Sequence, residues 1–125
     1  MVKGEMIPLE HYYAKNCSEE IFKQLYENYQ QEMGRRGLLD FDDMLVMSYR
    51  LFRERKDILS AWQRKYQYIL IDEFQDINRI QYEVVKMMAL PGNNLFIVGD
   101  DDQSIYRFRG ARPELMLGFP KDYPQ

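Results

Sequence analysis

The chain is poor in the residues that most often mark a site. It holds one cysteine, Cys17, and one histidine, His11, among 125 residues. A single cysteine excludes an internal disulfide, and one Cys with one His excludes a Cys/His zinc centre. Cys17 reads as a free thiol and not a nucleophile, because His11 lies in a segment with no clear period. No apolar run approaches the ~20 residues of a membrane span. The opening MVKGEMIPLEHYY lacks the apolar core of a signal peptide. These features point to a cytoplasmic protein with no membrane partner. An excess of positive charge is also missing: the net charge is −3 and the pI about 5.2. An autonomous nucleic-acid binder is usually basic, with a pI above ~9, although one local basic strip remains compatible with this balance. No Gly-Lys dipeptide occurs, so there is no GxxxxGK[ST] phosphate loop.

What is present suits one small globular α/β domain, with 46% apolar and 30% charged residues. Ser18 is placed to cap a helix whose Ile21, Phe22, Leu25, Tyr26, Tyr29 and Met33 recur at helical spacing. Gly37 ends it. Its tyrosines read as helix packing. Asp40 opens a second helix, Phe41 to about Arg53, with Phe41, Met44, Leu45, Ser48, Leu51 and Phe52 as its buried stripe. The acids Asp40, Asp42 and Asp43 at its start read as capping and dipole complementarity. A third, short helix spans roughly Asp57 to Arg64.

The segment Tyr68 to Glu73, YILIDE, carries the most information. A parallel strand covered on both faces reads as a continuous apolar run. Open α/β sheets bind ligands just beyond the carboxyl ends of their strands. Asp72 and Glu73 therefore fall where a metal-bound phosphate would sit, the Walker B arrangement, although taken alone an apolar run ending in acids is as well read as an ordinary strand-to-loop boundary. A second apolar run, Leu95 to Val98, ends in Gly99 and the acids Asp100, Asp101 and Asp102. Between the runs lies a helix-length segment, Asn78 to Leu90, with Asn78 and Gln81 in capping-box positions. Its stripe and flank are Ile80, Val84, Val85, Met87 and Met88, and Pro91 to Asn94 return the chain. Strand, helix and strand at this length form a right-handed βαβ crossover, which brings both acidic strand ends to one rim. Beyond them, Tyr106, Arg107, Phe108 and Arg109 alternate aromatics with arginines. That pattern suits stacking on single-stranded nucleic acid, and equally an exposed loop with solvated arginines. Gln103 lies between these two regions and can bond a phosphate oxygen or a water.

YILIDEFQDIN followed by LFIVGDDDQSIYRFRGA resembles the UvrD/Rep/PcrA helicases of superfamily one, matching motifs II and III in order. LDFDDML at Leu39 to Leu45 and the closing FPKDYPQ are also similar to that family. The resemblance implies a partial RecA-like parallel sheet (residues 38–125, the C-terminal part of the first motor domain). Residues 1–37 would be the end of an inserted helical subdomain. It implies ATP and Mg²⁺ as cofactors and single-stranded and duplex DNA as partners. It assigns Asp72 to the metal, Glu73 to the catalytic base, and Gln103 to sensing the γ-phosphate. Tyr106 and Phe108 would stack on DNA bases, with Arg109 near the nucleotide or holding the motif III loop, and Gln75 and Asp76 would tie the motifs together by hydrogen bonds. The family's phosphate loop and second RecA-like domain are not in this sequence. The chain is thus expected to be a helicase fragment, inactive alone and marginally stable or self-associating. Two other functions fit the residues: a metal-dependent nuclease using Asp72, Glu73, Asp76 and Asp100, and a non-catalytic interaction remnant.

Overall fold

The computed structural model describes residues 11–12, 17–103 and 111–124. They form helix α1 (Glu19–Arg36), α2 (Phe41–Glu54), α3 (Lys56–Lys65), strand β1 (Ile69–Ile71), α4 (Arg79–Ala89), β2 (Leu95–Ile97) and α5 (Pro113–Asp122). Short 3-10 turns follow each strand, at Phe74–Asp76 and Asp101–Gln103. The architecture is α/β: a small parallel sheet among helices.

Local signals set most of the boundaries. Ser18 Oγ accepts from Ile21 N, and Gly37 adopts φ 63°, a left-handed stop that glycine takes without steric cost. Reciprocal capping boxes start two helices, Asp40 with Asp43 on α2 and Asn78 with Gln81 on α4. The acids at the head of α2 thus include a cap pair, and each bond satisfies a backbone donor that the helix cannot. Helix α5 carries Pro113 in its first turn, where a missing N–H costs nothing.

β1 and β2 pair in parallel with Ile69 opposite Leu95, Leu70 opposite Phe96 and Ile71 opposite Ile97. Helix α4 makes the crossover. Phe74, Ile77 and Tyr82 form the core, with Ile71, Ile97, Leu115, Met116 and Phe119 packed against them. Phe74 meets Tyr82 and Phe119 edge to face, the arrangement aromatic quadrupoles favour. Tyr82 donates its hydroxyl proton to Asp122 Oδ2 at 2.8 Å, so the end of α5 is latched to α4. α2, α3 and α4 pack on one another, and Gln63 Nε2 donates to the Met87 carbonyl at 2.8 Å.

Three expectations are corrected. The strands are covered on one face only: Leu70 is 73% exposed and Phe96 61%. A two-stranded layer with helices on one side has nothing among the described residues to cover the other. On α2 only Phe52 is buried, whereas Phe41, Met44 and Leu51 are exposed. The apolar face is wider than α3 and α4 can cover. Helix α1 buries no residue. Its Tyr29 bonds Asp40 Oδ2 through the hydroxyl and does not enter a core.

Candidate functional site

Both strands deliver their ends to the same rim. The ladder continues past the strands, with Val98 N donating to the Ile71 carbonyl at 2.8 Å and Phe74 N to the Val98 carbonyl at 2.9 Å. Asp72 and Glu73 are thereby set beside Gly99 and Asp100. This juxtaposition of acidic strand ends is the one expected from the two apolar runs.

Asp72 is exposed. Its Oδ1 accepts from Glu73 N at 2.9 Å, and Oδ2 has no protein partner among the described residues. One oxygen is tied back and the other faces solvent. That donor set fits Mg²⁺, a hard ion that takes one or two carboxylates and keeps several waters. It does not fit a cluster metal. Among the described residues no three His, Cys, Asp or Glu side chains come together to hold an ion. Asp72, Glu73, Asp76 and Asp100 are therefore not the assembled ligand set that the nuclease reading requires.

Glu73 adopts φ 53°, ψ 41°. A non-glycine residue in the left-handed region carries roughly 1–2 kcal/mol of strain. The reversal turns the chain from the strand into the 3-10 turn and sends Phe74, fully buried, into the core. The Glu73 side chain stays at the surface and is held from beneath. Gln75, 1% exposed, donates from Nε2 to Glu73 Oε2 at 2.6 Å. Its Oε1 accepts from Asp100 N at 2.9 Å. The backbone N–H can only donate and the carboxylate only accepts, so the orientation of the Gln75 amide is fixed by its neighbours.

Gly99 sits against this amide. A Cβ built on it would lie 2.6 Å from Gln75 Oε1, 3.1 Å from Phe74 N and 3.2 Å from Gln75 N. Here glycine is required by close approach. Gln103 closes the rim: its Nε2 donates to Asp100 Oδ2 at 2.8 Å. Asp100 Oδ1 accepts from Asp102 N at 3.1 Å.

The structure thus brings Asp72, Glu73 and Gln103 to one rim. Tyr106, Phe108 and Arg109 lie outside the described residues. The resemblance marked Gln75 as a residue that ties the two motifs by hydrogen bonds, and its bonds to Glu73 and Asp100 do join the two strand ends. Its close packing against Gly99 was not singled out.

A groove of about 480 Å³ opens between α4 and α5 and contains none of these residues. Its cations Arg79, Lys86 and Arg112 alternate with Glu83, Glu114 and Asp122, so it presents no field of one sign. Within it, the Tyr82 hydroxyl proton and the Lys86 ammonium hold the Asp122 carboxyl below the usual carboxylate range. Burial, and then Asp122, push the Tyr82 phenol up.

The sequence pattern of a family described as "UvrD/REP helicase N-terminal domain" matches residues 3–124. The chain is 48% identical over 122 residues to a protein of Bacillus subtilis named "Putative ATP-dependent DNA helicase YjcD", covering 98% of this chain and 16% of that protein. It is 43% identical over 111 residues to the ATP-dependent DNA helicase Rep of Buchnera aphidicola, covering 89% of this chain and 17% of the relative. It is 42% identical over 112 residues to the ATP-dependent DNA helicase PcrA of Staphylococcus aureus, with 90% and 15% covered. The chain therefore spans about one sixth of the length of these relatives. Among the described residues no helix is long and apolar enough to cross a membrane.

Proposed function

Because this chain belongs to the UvrD/REP helicase family, we propose that it is a segment of an ATP-dependent DNA helicase, one that moves along single-stranded DNA and opens duplex. The reading makes residues 38–125 the C-terminal part of a first RecA-like motor domain, carrying motifs II and III. Residues 1–37 are the end of an inserted helical subdomain. The phosphate-loop half and a second motor domain are the partners the activity requires. The observation that supports this reading is the single rim on which the parallel register gathers Asp72, Glu73 and Gln103.

In this reading Asp72 would hold Mg²⁺ with its exposed carboxylate, and the ion would supply positive charge against the charge that develops on the phosphates. Oε1 of Glu73 has no protein partner among the described residues, and it receives the proton of the attacking water. As that water's oxygen bonds to the γ-phosphorus, the bond to the bridging oxygen breaks and ADP leaves with that electron pair. The Gln103 amide bonds the γ-phosphate and passes its presence to the DNA-binding segment. There Tyr106 and Phe108 stack on bases, worth ~1–3 kcal/mol per base, and Arg109 lies near the nucleotide. The protein acts in the cytoplasm.

The test is ATP turnover by the full-length helicase carrying this segment, with and without single-stranded DNA. Glu73→Gln abolishes turnover and spares ATP binding. Wild-type turnover in that variant removes Glu73 from the base role.

A further inference from the structure

Three hydrogen bonds join the two acidic strand ends into one line. Glu73 Oε2 accepts from Gln75 Nε2, Gln75 Oε1 accepts from Asp100 N, and Asp100 Oδ2 accepts from Gln103 Nε2. Each link has a physical reason to be stiff. Gln75 is buried, so neither end of its amide can exchange its partner for water without cost. Its bond to Glu73 is charge-assisted and short. Its bond to Asp100 is to backbone, at a point already fixed by the ladder between Phe74 and Val98. Gly99 lets the two strand ends approach closely enough for the amide to span them.

We propose that Gln75 and Asp100 are positioning residues that couple Glu73 to Gln103 through this line of hydrogen bonds. A shift of Gln103 on meeting the γ-phosphate pulls on Asp100. The pull reaches Gln75 through the Asp100 backbone and turns the Glu73 carboxylate toward or away from the water. This inference rests on the roles of Glu73 and Gln103 proposed above. In this proposal neither Gln75 nor Asp100 contacts substrate. Both act by setting where two other side chains stand, and displacement of a reacting group by ~1 Å is enough to cost on the order of 10²-fold in rate.

The experiment is steady-state ATP hydrolysis by the full-length helicase on single-stranded DNA, in Gln75→Met, Asp100→Ala, Gln103→Ala and the double variants with Gln103→Ala. Gln75→Met keeps the side chain's length and removes both bonds. Asp100→Ala is at an exposed position, so it tests the line without opening the core if Gln75→Met fails to fold. Expected is a ~10-fold or larger fall in kcat with KM for ATP within about 2-fold. The doubles should be no slower than Gln103→Ala alone, because residues acting as one unit do not add. Additive losses, or a rise in KM with kcat kept, would overturn the coupling. Failure of the underlying roles looks different. Wild-type turnover in Glu73→Gln or Gln103→Ala sinks the site assignment itself. Inactive Glu73→Gln and Gln103→Ala beside wild-type kcat in Gln75→Met and Asp100→Ala sinks only the line.

Discussion

The two faces of the sheet carry the same kinds of residue and meet opposite surroundings. Ile71 and Ile97 pack against the cluster of Phe74, Ile77 and Tyr82. One residue earlier on each strand, Leu70 and Phe96 stand open. Side chains alternate across a strand, so a step of one position is enough to move from core to surface. An apolar run says that a strand suits two covered faces. Whether both are covered depends on what else the fold brings to it.

The largest expected effect breaks that contrast at its core. Phe74→Ala removes a fully buried ring and should cost about 3–5 kcal/mol, a large part of the ~5–15 kcal/mol that holds a typical domain folded. Leu70→Thr on the bare face should change stability by no more than ~0.5 kcal/mol, and sedimentation of this chain should show no more association than wild type. Urea titration of the 125-residue chain followed by circular dichroism, with sedimentation for association, checks both. Equal losses would mean that the bare face is covered in solution.

Adding matter sharpens the comparison from the other side. Gly99→Ala inserts one methyl at the rim, 2.6 Å from the Gln75 amide. Overpacking of this kind costs ~1–3 kcal/mol. One methyl gained at the rim should therefore weaken the fold more than an apolar side chain lost at Leu70. The same titration decides it.

The smallest effect lies at the latch between α4 and α5. The lowered carboxyl of Asp122 comes first from the Tyr82 hydroxyl and then from Lys86. A carboxylate lowered in the folded state adds stability above its unfolded value, near 4. That contribution is lost as the pH falls through the lowered value. Asp122 is more than a third exposed, so the term is modest. Asp122→Asn should flatten the dependence of the urea midpoint on pH on the acid side of the unfolded carboxylate value near 4. An unchanged slope would show that other carboxylates carry it.

Much of this fold was legible before the structure. Ser18, Gly37, Asp40 and the Asn78–Gln81 pair mark helix ends through bonds to nearby backbone, so residue type alone announces them. The two apolar runs ending in acids, joined by a helix-length crossover, placed Asp72, Glu73 and Asp100 on one rim through the handedness of that connection. Helix α5 was not foreseen. Gly118 and Pro120 argue against a helix, and only Pro113 followed by Glu114 hints at its start. Its formation depends on docking to the Phe74 cluster, a contact far along the chain. The exposure of Phe41 and Leu51 was hidden likewise, because an apolar stripe does not record how much of it a neighbour reaches. Gln75 was legible as a tie between the two motifs, but which atoms it joins needs the strand register.

That register has one more consequence. Parallel strands can slip past each other only in whole residues, each about 3.3 Å long. A slip of one would also turn every side chain to the other face. It would carry Leu70 or Phe96 inward and take Gly99 away from the Gln75 amide. Errors in the relative height of the two acidic ends are thus quantised. The pairing of Ile71 with Ile97 acts as a detent for the rim, and thermal motion can bend the setting without leaving it part-way between two positions.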